Sequence, residues 1–184
     1  MSCLLRTQAL SLQIADTRIC SALDLCIEPG QSWALLGRNG IGKTTLLHHL
    51  AGLRPNAEGQ IMLGTDDIVG LRPRERARRV AVLLQHSSRG FGANVLETVL
   101  GGRHPHLGRF AWEDSNDLAI AESHIAACGL AGLSSRSLST LSGGELRRVE
   151  IARMLTQQCP LALLDEPLNH LDFGHQAAIL RLLG

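Results

Sequence analysis

Nine residues, Gly37 to Thr45, read GRNGIGKTT and place three glycines, a lysine and two hydroxyls directly after an apolar run. Glycine lets a backbone turn tightly and approach a ligand, and amides turned inward by such a loop make a nest for anionic oxygens. Phosphate is the guest that suits this chemistry. Gly37, Gly42, Lys43 and Thr44 complete the pattern G-x-x-x-x-G-K-[ST], with Asn39, Gly40 and Thr45 in the same loop. Lys43 is placed to reach terminal phosphates, and the Thr44 hydroxyl to ligate a magnesium ion. Ile41 is the odd member, bulky and β-branched in a loop that favours small residues.

Phosphoryl transfer also needs a carboxylate near the magnesium and a group that activates water. LALLDEP, Leu161 to Pro167, offers both: an aliphatic strand with Asp165 at its carboxyl end and Glu166 next. Ligands of open α/β sheets gather at the carboxyl ends of strands, so Asp165 is placed to hold the metal and Glu166 to orient or deprotonate water. Taken alone, such a pair could equally cap a helix; a phosphate loop upstream favours the catalytic reading. LSGGE, Leu141 to Glu145, precedes a helix on which Val149, Ala152 and Leu155 share a face. Ser142, Gly143 and Gly144 put backbone donors at a helix N-terminus, a second anion site in the same chain.

The elements that must position these residues follow from pattern. Trp33 to Leu36 reads as a short buried parallel strand, and TTLLHHLAGL as a helix with Leu46, Leu50 and Leu53 on one face and Gly52 and Pro55 as stop signals. The N-terminal segments LSLQI and LDLCI alternate loosely, as antiparallel strands joined by turns do. GQIML and VAVLL read as strands, with a short helix in the arginine-rich stretch between them. From Ser87 to about Thr140, glycine-rich turns mix with helical patches and no clear strand appears. GGELRRVEIARMLTQQ is a helix, LALL a strand and GHQAAILRLL a final helix.

Composition bounds the rest. A chain of 184 residues supports one domain with a substantial core, with room for an inserted subdomain. Its apolar runs fall far short of the roughly 20 residues that cross a bilayer, and MSCLLRTQAL lacks the form of a secretion signal. Five scattered cysteines without a C-x-x-C pair point to a reducing cytoplasm. A net charge of +1 gives no general attraction to nucleic acid, and the basic run Leu71 to Arg79 reads as a solvated helix face. His48 and His49 point in different directions on a helix, which suits surface or packing roles.

With the phosphate loop, the DE pair and LSGGE in this order, the sequence resembles the ATP-binding cassette ATPases. The resemblance runs from the N-terminal strands to the last residue. It implies an α/β fold, a P-loop NTPase core with an N-terminal antiparallel β region and an inserted helical subdomain. Residues 1–86 and 141–184 would form the ATP-binding core, and 87–140 the helical subdomain. The implied ligands are ATP and Mg2+. The catalytic set would be Glu166, Lys43 and Gln85, with Thr44, Gln85 and Asp165 at the metal. Gly37, Asn39, Gly40, Gly42, Lys43, Thr44 and Thr45 would cradle phosphate. Ser142, Gly143 and Gly144 would close over the nucleotide of a second copy in a head-to-tail homodimer. Gln85, ending VAVLLQ, matches the family's magnesium-sensing glutamine, and NHLD, Asn169 to Asp172, the loop that crosses the dimer interface.

GGRHPHLGRF and DEPLNHLDFGHQ look like the ATPase subunits of bacterial importers for cobalamin, haem and ferric siderophores. That implies a permease dimer in the membrane, received in a groove just after Gln85, and indirectly a periplasmic binding protein. The subunit would sit on the cytoplasmic face of the inner membrane, with no nucleic-acid partner. Two departures from the family pattern stand out. No aromatic residue is present in LSLQIADTR to stack adenine, so Ile14 or a neighbour supplies apolar contact and affinity rests on phosphate and magnesium. The family's switch histidine lies on a strand beyond the NHLD loop and its helix, and neither His170 nor His175 fits it. The main reading is the ATP-binding and ATP-hydrolysing subunit of such an importer, C-terminally truncated, and this form is expected to bind ATP and hydrolyse it poorly. The alternatives are a soluble non-transport cassette acting on ribosomes, against which the chain has one cassette and no charged linker, or a truncated cassette that binds ATP without efficient hydrolysis.

Overall fold

The computed structural model describes residues 3–15, 17–54, 58–85, 92–108 and 110–183. Leu5, Thr7, Leu10 and Leu12 are buried while their neighbours face out, the alternation of a half-covered strand interrupted by one extra residue. That strand, β1 (Leu5–Ile14), pairs antiparallel with β2 (Thr17–Ile27) and β3 (Glu58–Leu63), and β3 with the short β4 (Asp66–Asp67). The sheet order is β2-β1-β3-β4. The register slips between Thr7 and Leu10, where Ala9 takes φ +47°, the signature of a bulge. Side chains steady both sides of it, with Asp24 accepting from Ala9 N–H at 2.7 Å and Ser11 from Ala22 N–H at 2.9 Å.

One expectation from composition is corrected in this sheet. Cys3 and Cys26 form a disulfide, with Cα atoms 5.6 Å apart and a separation of 23 in sequence. The β1–β2 pairing, with Leu5 opposite Ile27 and Arg6 opposite Cys26, brings the segment that carries Cys3 close to Cys26, which no local spacing reveals. Cys20, Cys128 and Cys159 take no part in a disulfide.

A second correction concerns Trp33 to Leu36. The run belongs to no strand among the described residues, and Trp33 and Leu36 are 62 % and 87 % exposed. A parallel strand is stable only with neighbours on its edges and cover on both faces, and no strand pairs with this run in the described structure. Helix α1 (Lys43–Leu50) follows the loop as expected, burying Leu46 and Leu50, each worth roughly 1.5–3 kcal/mol. It stops at Gly52, φ +65°, and Leu53 lies exposed beyond its end; Pro55 lies outside the described residues. The arginine-rich stretch does form a helix, α2 (Pro73–Ala77), with proline in its first turn.

The chain divides into two units, 1–80 and 81–184, the division falling within β5 (Val80–Leu83). In the second unit β5 pairs with β6 (Leu161–Leu164). Helices α3 (Val95–Leu100), α4 (Ser115–Ala127), α5 (Gly143–Thr156) and α6 (Phe173–Leu183) supply the rest of its core. Val95 and Val99, Ala121 and Ile125, Val149, Ile151 and Ala152, and Ile179 meet Ala81 and Leu83 in one apolar cluster. Three of these helices open on a reciprocal cap: Asn94 with Glu97, Asp114 with Asp117, and Ser142 with Glu145.

Candidate phosphate loop and carboxylate centre

In the first unit, residues 37–42 form an irregular loop feeding α1. Lys43 Nζ folds back to donate to the carbonyls of Gly37 at 2.7 Å and Arg38 at 3.0 Å, so the loop closes around its own ammonium group. Gly42 turns at φ +102°, and a Cβ there would meet Ile19 side-chain carbons at 2.7 to 2.9 Å. Both the angle and the close packing require glycine. Helix α1 begins with no side-chain cap and no acidic residue in its first turn. Its uncapped first amides, the Lys43 ammonium and the two threonine hydroxyls at 44 and 45 are a cationic, donor-rich set whose chemistry suits an anion. Asn39 and Gly40 lie on its exposed rim.

In the second unit, the sheet aligns the ends of β5 and β6. Asp165 N–H donates to Leu83 O at 2.8 Å, which sets Gln85 and Glu166, each two residues past its strand, side by side. Gln85 Nε2 donates to Glu166 Oε2 at 2.8 Å, and Asn169 Nδ2 to the same oxygen at 2.5 Å. Glu166 itself adopts φ +46°, a left-handed conformation uncommon for a residue with a side chain. Asp165 is 5 % exposed, and its Oδ2 has no hydrogen-bond partner among the described residues. Buried carboxylate oxygens are nearly always satisfied, so this one has the chemistry of a ligand for a hard cation.

The third motif starts α5. Ser142 Oγ accepts from Glu145 N–H at 3.2 Å while Ser142 N–H donates to Glu145 Oε2 at 2.7 Å. The Ser142 backbone N–H, and after it the Ser142 hydroxyl, hold the Glu145 carboxyl below its ordinary range against a desolvation effect that raises it, with Arg136 and Arg148 adding a smaller pull. Gly143 and Gly144 lie against the 170–171 segment. The residues just after Gln85, expected to form a groove for a permease, lie outside the described residues.

Sequence reasoning missed Arg147. Its side chain is 4 % exposed and donates to Leu84 O, Asp165 O, Glu166 O and Pro167 O, and to Glu150 Oε2. The signal was available: Arg147, Ile151 and Met154 are spaced i, i+4, i+7, so the arginine occupies the helix face that is buried. Asn169, the first residue of NHLD, also contacts Glu166, which its place in that motif does not reveal.

The family model described as ABC transporter matches residues 20–169. A Hemin import ATP-binding protein of Myxococcus xanthus is 44 % identical over 170 residues, covering 89 % of this chain and 63 % of the relative. A Cobalamin import ATP-binding protein of Halobacterium salinarum is 37 % identical over 174 residues, covering 95 % of this chain and 43 % of that one. The chain thus spans between about two fifths and two thirds of the length of these relatives. A solved structure described as a metal-chelate type ABC transporter in an inward-facing conformation superposes with TM-score 0.81 at 31 % identity, covering 100 % of this chain and 67 % of that one. A nucleotide-free ATP-binding cassette from an ABC transporter, 23 % identical with TM-score 0.82, shares the fold over 100 % of this chain and 76 % of that one. The expected α/β cassette fold is borne out by these neighbours. No described helix is long and apolar enough to cross a membrane.

Proposed function

The chain belongs to the ABC transporter family, and from that premise we propose that it is the ATP-binding and ATP-hydrolysing part of an importer for a metal chelate such as haem, cobalamin or a ferric siderophore. The observation that carries the reading is the pairing of Gln85 with Glu166 beside the unsatisfied carboxylate oxygen of Asp165. In this reading Gly37, Asn39, Gly40, Gly42, Lys43, Thr44 and Thr45 hold the phosphates, with Lys43 on the terminal ones. Asp165, Thr44 and Gln85 would hold Mg2+, which when bound screens phosphate charge and polarises the γ-phosphoryl group. Glu166 orients water and takes its proton as the new bond to the γ-phosphorus forms and the bond to the β–γ bridging oxygen breaks. Gln85 and Asn169 fix the carboxylate for that task. Ser142, Gly143 and Gly144 would face the γ-phosphate held by a second copy. The domain assignment is 1–86 and 141–184 for the ATP-binding core and 87–140 for the helical subdomain. The partners would be ATP, a second copy and a membrane permease dimer, with a periplasmic binding protein reached only through the permease. The place would be the cytoplasmic face of the inner membrane.

The names of the relatives support the importer class, since they are described as import proteins for hemin and cobalamin. The first test is equilibrium binding of Mg-ATP. Wild type should bind and Lys43→Ala should bind at least about tenfold more weakly, a loss of about 1.4 kcal/mol. Equal affinity for the two would remove the phosphate loop from the reading, and hydrolysis undiminished in Glu166→Gln would remove the carboxylate.

A further inference from the structure

We propose that Arg147 is the positioning residue of the hydrolytic carboxylate: it holds the left-handed turn at Glu166 and the base of Gln85 in one frame built on α5. The proposal rests on the ATPase reading of Glu166 given above and adds a residue that reading does not contain.

A guanidinium carries five N–H donors in a planar fork, and here the five acceptors match them one for one. Nε donates to Pro167 O at 3.2 Å. Nη1 donates to Leu84 O at 2.7 Å and Glu150 Oε2 at 2.9 Å, and Nη2 to Asp165 O and Glu166 O, both at 2.9 Å. A charge buried this deeply survives only when its donors are satisfied. Four of its partners are backbone carbonyls, one just before Gln85 and three at and around Glu166, the two residues paired through Glu166 Oε2. Glu166 pays for its φ of +46° unless its surroundings fix the turn. Arg147 does so by gripping the carbonyls before, at and after that residue, and through Leu84 O it ties the same turn to the segment that carries Gln85. A lysine has three donors on one nitrogen and cannot span carbonyls in the two segments that follow β5 and β6.

Gln85 and Asn169 serve as reporters, because their side-chain amides both donate to Glu166. In the full chain labelled with 15N, the amide resonances of these two side chains are compared among wild type, Arg147→Lys, Arg147→Gln and Glu166→Ala. The last variant defines the released position. Both Arg147 variants should move the two resonances toward it while the methyl signals of Val149 and Ile151 stay in place. In single-turnover hydrolysis they should slow the chemical step about tenfold or more with Mg-ATP affinity changed less than about twofold. An arginine that only stabilises α5 would lower the melting temperature and leave the amides and the ratio of rate to affinity unmoved. Folded variants with wild-type amide positions overturn the proposal, and so does loss of fold in both. If wild type fails to bind Mg-ATP, the ATPase reading falls, while the amide shifts still decide what Arg147 positions.

Discussion

At Gly144 a single hydrogen decides how closely α5 can approach the 170–171 segment. A Cβ built there would lie 2.9 Å from His170 O, whereas one at Gly143 would come no nearer than 4.0 Å to the His170 Cβ. His170 is itself held at φ +67°, so its carbonyl has little freedom to retreat. Gly144→Ala should therefore cost about 1–3 kcal/mol through overpacking. Gly143→Ala has open space in a helical first turn, where alanine is the better helix former, and should be neutral or slightly stabilising. Denaturant unfolding of the two variants without nucleotide measures the difference. Equal costs would mean that helix propensity, not the close approach to His170, governs this pair of glycines.

Among the elements, α3, α4 and α5 are tied by one buried ion pair. Arg103, in the 3-10 turn after α3, donates from Nε to Asp117 Oδ1 at 2.8 Å and from Nη1 to Thr156 O and Gln158 Oε1, joining the start of α4 to the end of α5. The Arg103 hydrogen bond holds the Asp117 carboxyl below its ordinary value, with a smaller contribution from the Asp114 N–H, against a burial effect that raises it. A carboxylate depressed on folding contributes stability above its unfolded pKa of about 3.9 and loses it as pH falls through the folded value. Asp117→Asn should therefore be destabilised near pH 7, by an amount on the order of 3 kcal/mol for a broken buried pair. The gap from wild type should close below about pH 4. Melting temperatures of both proteins from pH 7 to 3 test it, and a gap independent of pH would show that the pair adds nothing as a pair. Elements of this kind were legible where pattern is local: β1, α5, β6 and α6 follow from alternation or helical spacing, and the motifs mark out the irregular loop ahead of α1 and the DE pair at the end of β6. What escaped depends on partners distant in sequence. The disulfide between Cys3 and Cys26 needs the β1–β2 register, Arg147 is a charge on a buried face, and the apolar pattern of Trp33 to Leu36 cannot say whether neighbours pair with it.

That last run sets the question for the molecule as a whole. Trp33, Leu35 and Leu36 stand exposed between the first unit's sheet and its phosphate loop, and contiguous apolar surface of this sort drives self-association. Outside any sheet, Leu36 makes no buried contact to lose. Leu36→Lys should then change unfolding free energy by no more than about 0.5 kcal/mol, and should raise the concentration at which light scattering first appears. In a covered parallel strand the same change would bury an unpaired ammonium, a cost of several kcal/mol. The two outcomes are far enough apart for one denaturant titration to separate them. Because Leu36 immediately precedes Gly37, the result bears on binding too. An unpaired run leaves the loop anchored mainly through Lys43 on the Gly37 and Arg38 carbonyls and Gly42 against Ile19, so Mg-ATP affinity should be unaffected by lysine at position 36 and sensitive to a larger residue at position 42.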